Sequence, residues 1–138
     1  MKTTILFLSL VLISFTLKAQ TNIPDSKSYV GFWQLAKGLM HGSTETNGMF
    51  TVNNPDGTFY MFTTSGGDNL KASILQYGTY KMTSDSTCTV KILQHPTSPN
   101  MVGKTIFIKY RFIDTNTMLS QWKLDNFDWM PELWQRVK

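Results

Sequence analysis

Lys104-Thr105-Ile106-Phe107-Ile108-Lys109-Tyr110-Arg111-Phe112-Ile113 is followed by Asp114-Thr115-Asn116 and then by Thr117-Met118-Leu119-Ser120-Gln121-Trp122-Lys123-Leu124. In the first run Ile106, Ile108, Tyr110 and Phe112 fall on one side, opposite Thr105, Lys109 and Arg111. In the second, Met118, Ser120, Trp122 and Leu124 oppose Thr117, Gln121 and Lys123. A repeat of two residues places successive side chains on opposite faces of a strand, so each run reads as a strand with one apolar face. The polar turn between them is too short for a crossover, and the two strands must pair antiparallel. A sheet of this kind covers a core on one side and meets water on the other.

The same pattern extends in both directions. Upstream, Thr87 to Gln94 sets Cys88, Val90 and Ile92 against Thr89 and Lys91. Eight strands are expected: Tyr29 to Ala36, Gly48 to Asn53, Thr58 to Thr64, Leu70 to Thr83, Thr87 to Gln94, Lys104 to Ile113, Thr117 to Leu124 and Glu132 to Val137. Asn53-Asn54-Pro55-Asp56-Gly57 and Ser65-Gly66-Gly67-Asp68-Asn69 supply turn chemistry, because Pro presets φ and Gly tolerates positive φ. Gly78, inside the long fourth strand, marks a bulge or bend. Pro96 and Pro99 make His95 to Asn100 a loop. No window carries a sustained helical period. Alternation alone leaves a closed barrel and two stacked sheets both open; an all-β, eight-stranded antiparallel up-and-down barrel is the expectation, because closure removes exposed strand edges.

The beginning of the chain reads differently. Lys2 precedes an apolar run from Ile5 to Leu17, and Leu17-Lys18-Ala19 ends on a small residue. This is the pattern of a secretory signal peptide, too short for a membrane span. The expected organisation is a signal peptide over 1–19, a short linker over 20–28 and one domain over 29–138. Secreted or periplasmic localisation follows, with no integral membrane segment once the leader is removed. The chain has 13 Lys and Arg against 9 Asp and Glu, a formal net charge of +4, and Lys2 and Lys18 account for half of that excess. The remaining cations are scattered, which argues against nucleic-acid binding. Cys88 is the single cysteine, so no internal disulfide can form, and its place on an apolar strand face reads as a buried, inert thiol.

Two short motifs add a resemblance. Tyr29-Val30-Gly31-Phe32-Trp33-Gln34-Leu35 contains Gly-x-Trp, and Glu132-Leu133-Trp134-Gln135-Arg136-Val137 closes the meander with Trp and Arg. With the leader and short linker, this layout resembles a group of secreted bacterial lipocalin-like domains of unknown function, of the calycin barrel type. The resemblance implies that Trp33 plugs one end of the barrel, that Arg136 lies across it, and that Gly31 permits close backbone approach beside the ring. Lipocalins proper are longer and carry a helix beside the barrel. Fatty-acid-binding proteins place an Arg two residues before a Tyr near the end to grip a carboxylate. The last strand here has Glu132, Trp134 and Arg136 but no Tyr, and Arg111 faces outward by the alternation, so that carboxylate grip is not implied.

Catalytic signatures are sparse. His41 and His95 read as loop residues without partners at metal-ligand spacing. Asp125, Asn126 and Asp128 with Glu132 form the densest acidic cluster, read as turn and capping residues because the spacing matches no calcium loop. There is no nucleophile elbow and no phosphate-cradling loop before a helix. The expectation is therefore a non-enzymatic protein without metal or cofactor, binding a small apolar molecule inside the barrel. Trp33, Phe62, Tyr80, Ile108, Tyr110, Phe112 and Trp122 are expected to form the cavity wall. The alternative is a cell-envelope interaction or structural module with a filled barrel, suggested by the third strand. There Phe59 and Met61 oppose Tyr60 and Phe62, so both faces are apolar.

Overall fold

Period-two patterning becomes a closed ring of strands in the computed structural model, which describes residues 28–38, 48–65 and 71–138. The strands are β1 (Gly31–Gly38), β2 (Met49–Asn53), β3 (Thr58–Ser65), β4 (Lys71–Ser84), β5 (Thr87–Gln94), β6 (Thr105–Phe112), β7 (Thr117–Leu124) and β8 (Met130–Arg136). Each pairs antiparallel with the next, and β1 pairs with β8, which closes the barrel. The stacked-sheet alternative is thereby set aside. A 3-10 turn, Pro99–Met101, lies within the proline-containing connection. The leader over 1–19, nearly all of the 20–28 linker, Met40, His41 and the Gly66–Asn69 turn lie outside the described residues.

The two ends of the barrel differ. The segment before β1, the β2–β3, β4–β5 and β6–β7 turns, and the end of β8 gather at one end. The 3-10 turn and the β7–β8 connection lie at the other. At the first end Trp33 has no exposed surface. Its indole Nε1 donates to the Tyr29 carbonyl at 3.1 Å, and the Arg136 guanidinium carbon sits 4.2 Å from its ring centroid. Arg136 Nη1 donates to the Val30 carbonyl at 3.1 Å and Nη2 to the Ser28 carbonyl at 2.9 Å. The strands of these two residues are adjacent, with Trp33 opposite Arg136 in register. Burying an indole this size is worth roughly 5 kcal/mol by area. Gly31 has φ +146°, a region that disfavours side chains, and a Cβ there would press on Arg136 Nη1.

Among the described residues the ladders carry four register shifts, and two of them shape the wall. Met61 pairs with Gln76 and Phe62 with Ile74, leaving Leu75 as the extra residue of β4. The second lies at Gly78, as its position inside a long strand foretold: Tyr77 pairs with Gln94 and Gly78 with Ile92, leaving Leu93 extra in β5. A Cβ on Gly78 would collide with the Lys91 carbonyl oxygen and come within 2.9 Å of the Phe59 ring. The buried core forms two clusters, Trp33, Leu35, Tyr110, Met118 and Trp134 in one, and Phe59, Cys88, Val90, Ile92 and Ile106 in the other.

Candidate functional site

Above the Trp33 plug the core does not fill the barrel. A cavity of about 450 Å³ is lined by side chains from all eight strands, with Tyr29 at its floor and His95 and Met101 toward the opposite end. Its wall is mostly apolar: Leu35, Phe59, Met61, Ile106, Ile108 and Met118 face it. Inward positions of successive strands supply these residues, two apart along each strand. The bulge in β4 departs from this spacing and turns both Leu75 and Gln76 toward the interior.

Polar groups on the wall are few and mostly engaged. Thr51 Oγ1 donates to Asn53 Oδ1 at 3.3 Å, and Asn53 Nδ2 donates to the Tyr29 carbonyl at 3.1 Å. Gln76 Nε2 contacts the Met61 sulfur. Glu132 is the acidic residue of the wall. Its position follows from register, because Ser120 pairs with Glu132 and Met118 with Trp134, placing all four on the inner face of β7 and β8. Trp122 Nε1 donates to Glu132 Oε1 at 2.9 Å, and Trp134 Nε1 donates to Oε2 at 3.0 Å. The Trp134 indole also donates to Ser120 Oγ at 3.1 Å.

The surface that Glu132 retains opens on the cavity. Removal from bulk water raises its carboxyl from an ordinary 4.5 to about 7, although the two indole donors pull the other way. At the floor, Tyr29 packs between Tyr80, at 5.4 Å, and Tyr110, at 4.9 Å. Burial raises its phenol well above the ordinary value. Cys88 is 1% exposed, and burial pushes its thiol up to about 11. It remains protonated near neutrality, a poor nucleophile.

A family model described as Domain of unknown function (DUF4488) matches residues 28–138. The chain belongs to this family. No curated protein matches it. In this DUF4488 domain the residues expected to line a pocket divide into three groups. Ile108 and Trp122 face the cavity. Trp33, Tyr80, Tyr110 and Phe112 point inward, as the alternation requires, but they pack at the closed end and are not cavity wall. Phe112 lies against Trp33 at 6.0 Å, while Tyr29 inserts between Tyr80 and Tyr110 and seals the cavity from below. Phe62 faces outward, where it stacks on Phe50 at 5.2 Å and lies 6.0 Å from Phe32. Its inward-facing neighbours Phe59 and Met61 occupy the place assigned to it.

In sequence Glu132 clusters with the acidic residues of the β7–β8 connection, and the DUF4488 barrel separates them. Asp125, at φ 49°, forms an exposed ion pair with Lys104 at 3.1 Å, whereas Glu132 turns inside. The sequence carries a signal for this: the resemblance sets Arg136 across the Trp33 plug, and Glu132 shares the strand face of Arg136 four residues upstream. His95 lines the cavity; His41 lies outside the described residues. Among the described residues no group of three or more His, Cys, Asp or Glu side chains could hold a metal ion, and no helix is long and apolar enough to cross a membrane.

Proposed function

We propose that this domain is an exported, lipocalin-like binding protein that takes one small, largely apolar molecule into its barrel and performs no chemistry on it. The observation that carries this reading is the cavity of about 450 Å³ enclosed by Met, Ile, Leu and aromatic side chains. That volume lies in the range of small-molecule sites, which combine an apolar lining with a few placed polar groups. Methionines such as Met61 and Met118 suit such a wall, because an unbranched thioether adapts to a guest. The carrier role is favoured over a reaction because the wall's polar groups hold one another and the thiol of Cys88 is kept protonated. The lipocalin-like kinship rests on the opening Gly31-Phe32-Trp33 and on Arg136, whose plug-and-cover contact stands at 4.2 Å. Export rests on the leader pattern of Lys2 and Ile5 to Leu17.

Native mass spectrometry of protein purified from its own source tests the reading. A retained small molecule is expected in wild type and absent in Ile108→Trp, whose larger side chain fills the cavity; bare protein in both would count against a carrier. A second reading, an envelope interaction module, draws on the outer aromatic cluster of Phe32, Phe50, Tyr60 and Phe62 on β1, β2 and β3. A solution dimer lost on Phe62→Ser would favour it.

A further inference from the structure

We propose that the barrel selects amphipathic amines: molecules whose apolar body lies against Met61, Ile108 and Met118 and whose ammonium group docks on the Glu132 carboxylate. This rests on the reading of the cavity as a ligand site and names the chemistry of its guest. Three observations carry it. First, Glu132 lines the cavity, and among the residues whose side chains are described no Lys or Arg does, so the described wall offers an anion without a fixed counter-cation. Second, both carboxylate oxygens are anchored, Oε1 by the Trp122 indole and Oε2 by the Trp134 indole. An ionised carboxylate has about four acceptor positions; two are occupied, and the rest are available to a donor arriving from the cavity. A carboxylate so held is pre-organised and takes up a donor with little loss of side-chain freedom. Third, Trp122 and Trp134 line the cavity with the apolar wall residues around Glu132, and in surroundings of such low polarity a charge-assisted bond is stronger than in water.

The alternative head groups fit less well. A fatty-acid anion would meet Glu132 with like charge. A neutral alcohol could donate one hydrogen bond but gains nothing from charge, and charge-assisted hydrogen bonds are about twice as strong as neutral ones. Among the groups that face Glu132, β7 contributes Ser120 and Trp122, β8 itself contributes Trp134, and the floor contributes the neutral phenol of Tyr29. His95 lines the same cavity from the end of β5. With its carboxyl raised to about 7, Glu132 is mostly neutral at slightly acid pH and mostly ionised at slightly alkaline pH. Amine binding therefore strengthens as pH rises through neutrality.

Isothermal titration with decylammonium and decanoate below their micelle-forming concentrations, and with decanol below its solubility limit, tests the proposal. Near pH 8 decylammonium is expected to bind about tenfold tighter than decanol, with decanoate weakest. Its affinity is expected to fall about tenfold near pH 6 as Glu132 takes up a proton. Glu132→Gln should erase both the amine preference and its pH dependence while decanol still binds. Because His95 lines the same cavity, His95→Gln is the control and should keep the pH dependence. Decanoate binding as tightly as decylammonium in wild type, or an amine preference surviving in Glu132→Gln, would overturn the amine assignment alone. Failure of all three probes to bind wild type would overturn the cavity reading with it. The comparison among probes on wild type does not depend on any variant folding.

Discussion

Arg136 joins the last strand to the segment before the first through the Ser28 and Val30 carbonyls and the Trp33 ring. Arg136→Ala removes three charge-assisted hydrogen bonds, to the Ser28, Val30 and Thr115 carbonyls, and a cation–π contact, and is expected to cost about 2–3 kcal/mol in urea unfolding. Arg136→Lys should recover only part of this, because an ammonium cannot reproduce the planar fork that reaches two carbonyls. Glu132 makes a prediction of its own. Its folded carboxyl, at about 7, lies above the ordinary 4.5, so between these values the folded state holds more protons than the unfolded one. Its contribution is fully present below about pH 4.5 and is lost as pH rises through about 7. Wild type should lose on the order of a few kcal/mol across this window relative to Glu132→Gln, as read by chemical unfolding at a series of pH values. A flat difference between the two proteins would mean that the carboxylate is solvated as in water.

At the scale of strands, the bulge at Gly78 and the two faces of β3 matter most. A Cβ at Gly78 meets the Lys91 backbone oxygen, which cannot step aside as a side chain would. Gly78→Ala is therefore expected to lower the Tm by about 10 °C or more, as overpacking against backbone costs several kcal/mol. On β3, Met61→Trp should weaken binding of an apolar probe at least about tenfold by filling the cavity, whereas Phe62→Thr should leave it unchanged. Strands were legible in the sequence because period-two alternation and turn chemistry are local properties; β5 and β7 have the bounds the pattern predicts. The pocket was harder to read. Alternation tells inside from outside but not height along the barrel, so it cannot separate Tyr80 and Tyr110, which Tyr29 covers, from the residues of the wall. In β3 both faces are apolar, and local pattern has no means of choosing Phe59 and Met61 over Phe62. Glu132 was obscured by its sequence neighbours, which lie in a turn.

For the whole molecule, closure and hollowness are linked. A ring of eight strands is wide enough either to be filled by side chains or to keep room for one small guest. Here Trp33, Tyr80, Tyr110 and Phe112 fill the end held by Trp33 and Arg136, and aliphatic side chains, Phe59, Trp122, Trp134 and one anchored carboxylate surround the space above. The outer cluster of Phe32, Phe50 and Phe62 lies on the far side of the same strands, so the domain presents two apolar faces to a ligand. Methyl NMR separates the two most directly. On titration with decanol, the methyl signals of Met61, Met118, Ile106 and Ile108, all facing the cavity, should shift together and saturate, while those of Ile74 and Ile113, exposed outside, stay in place. Shifts confined to Ile74 and Ile113, or no saturable shift at the inner methyls, would contradict a binding site within the barrel.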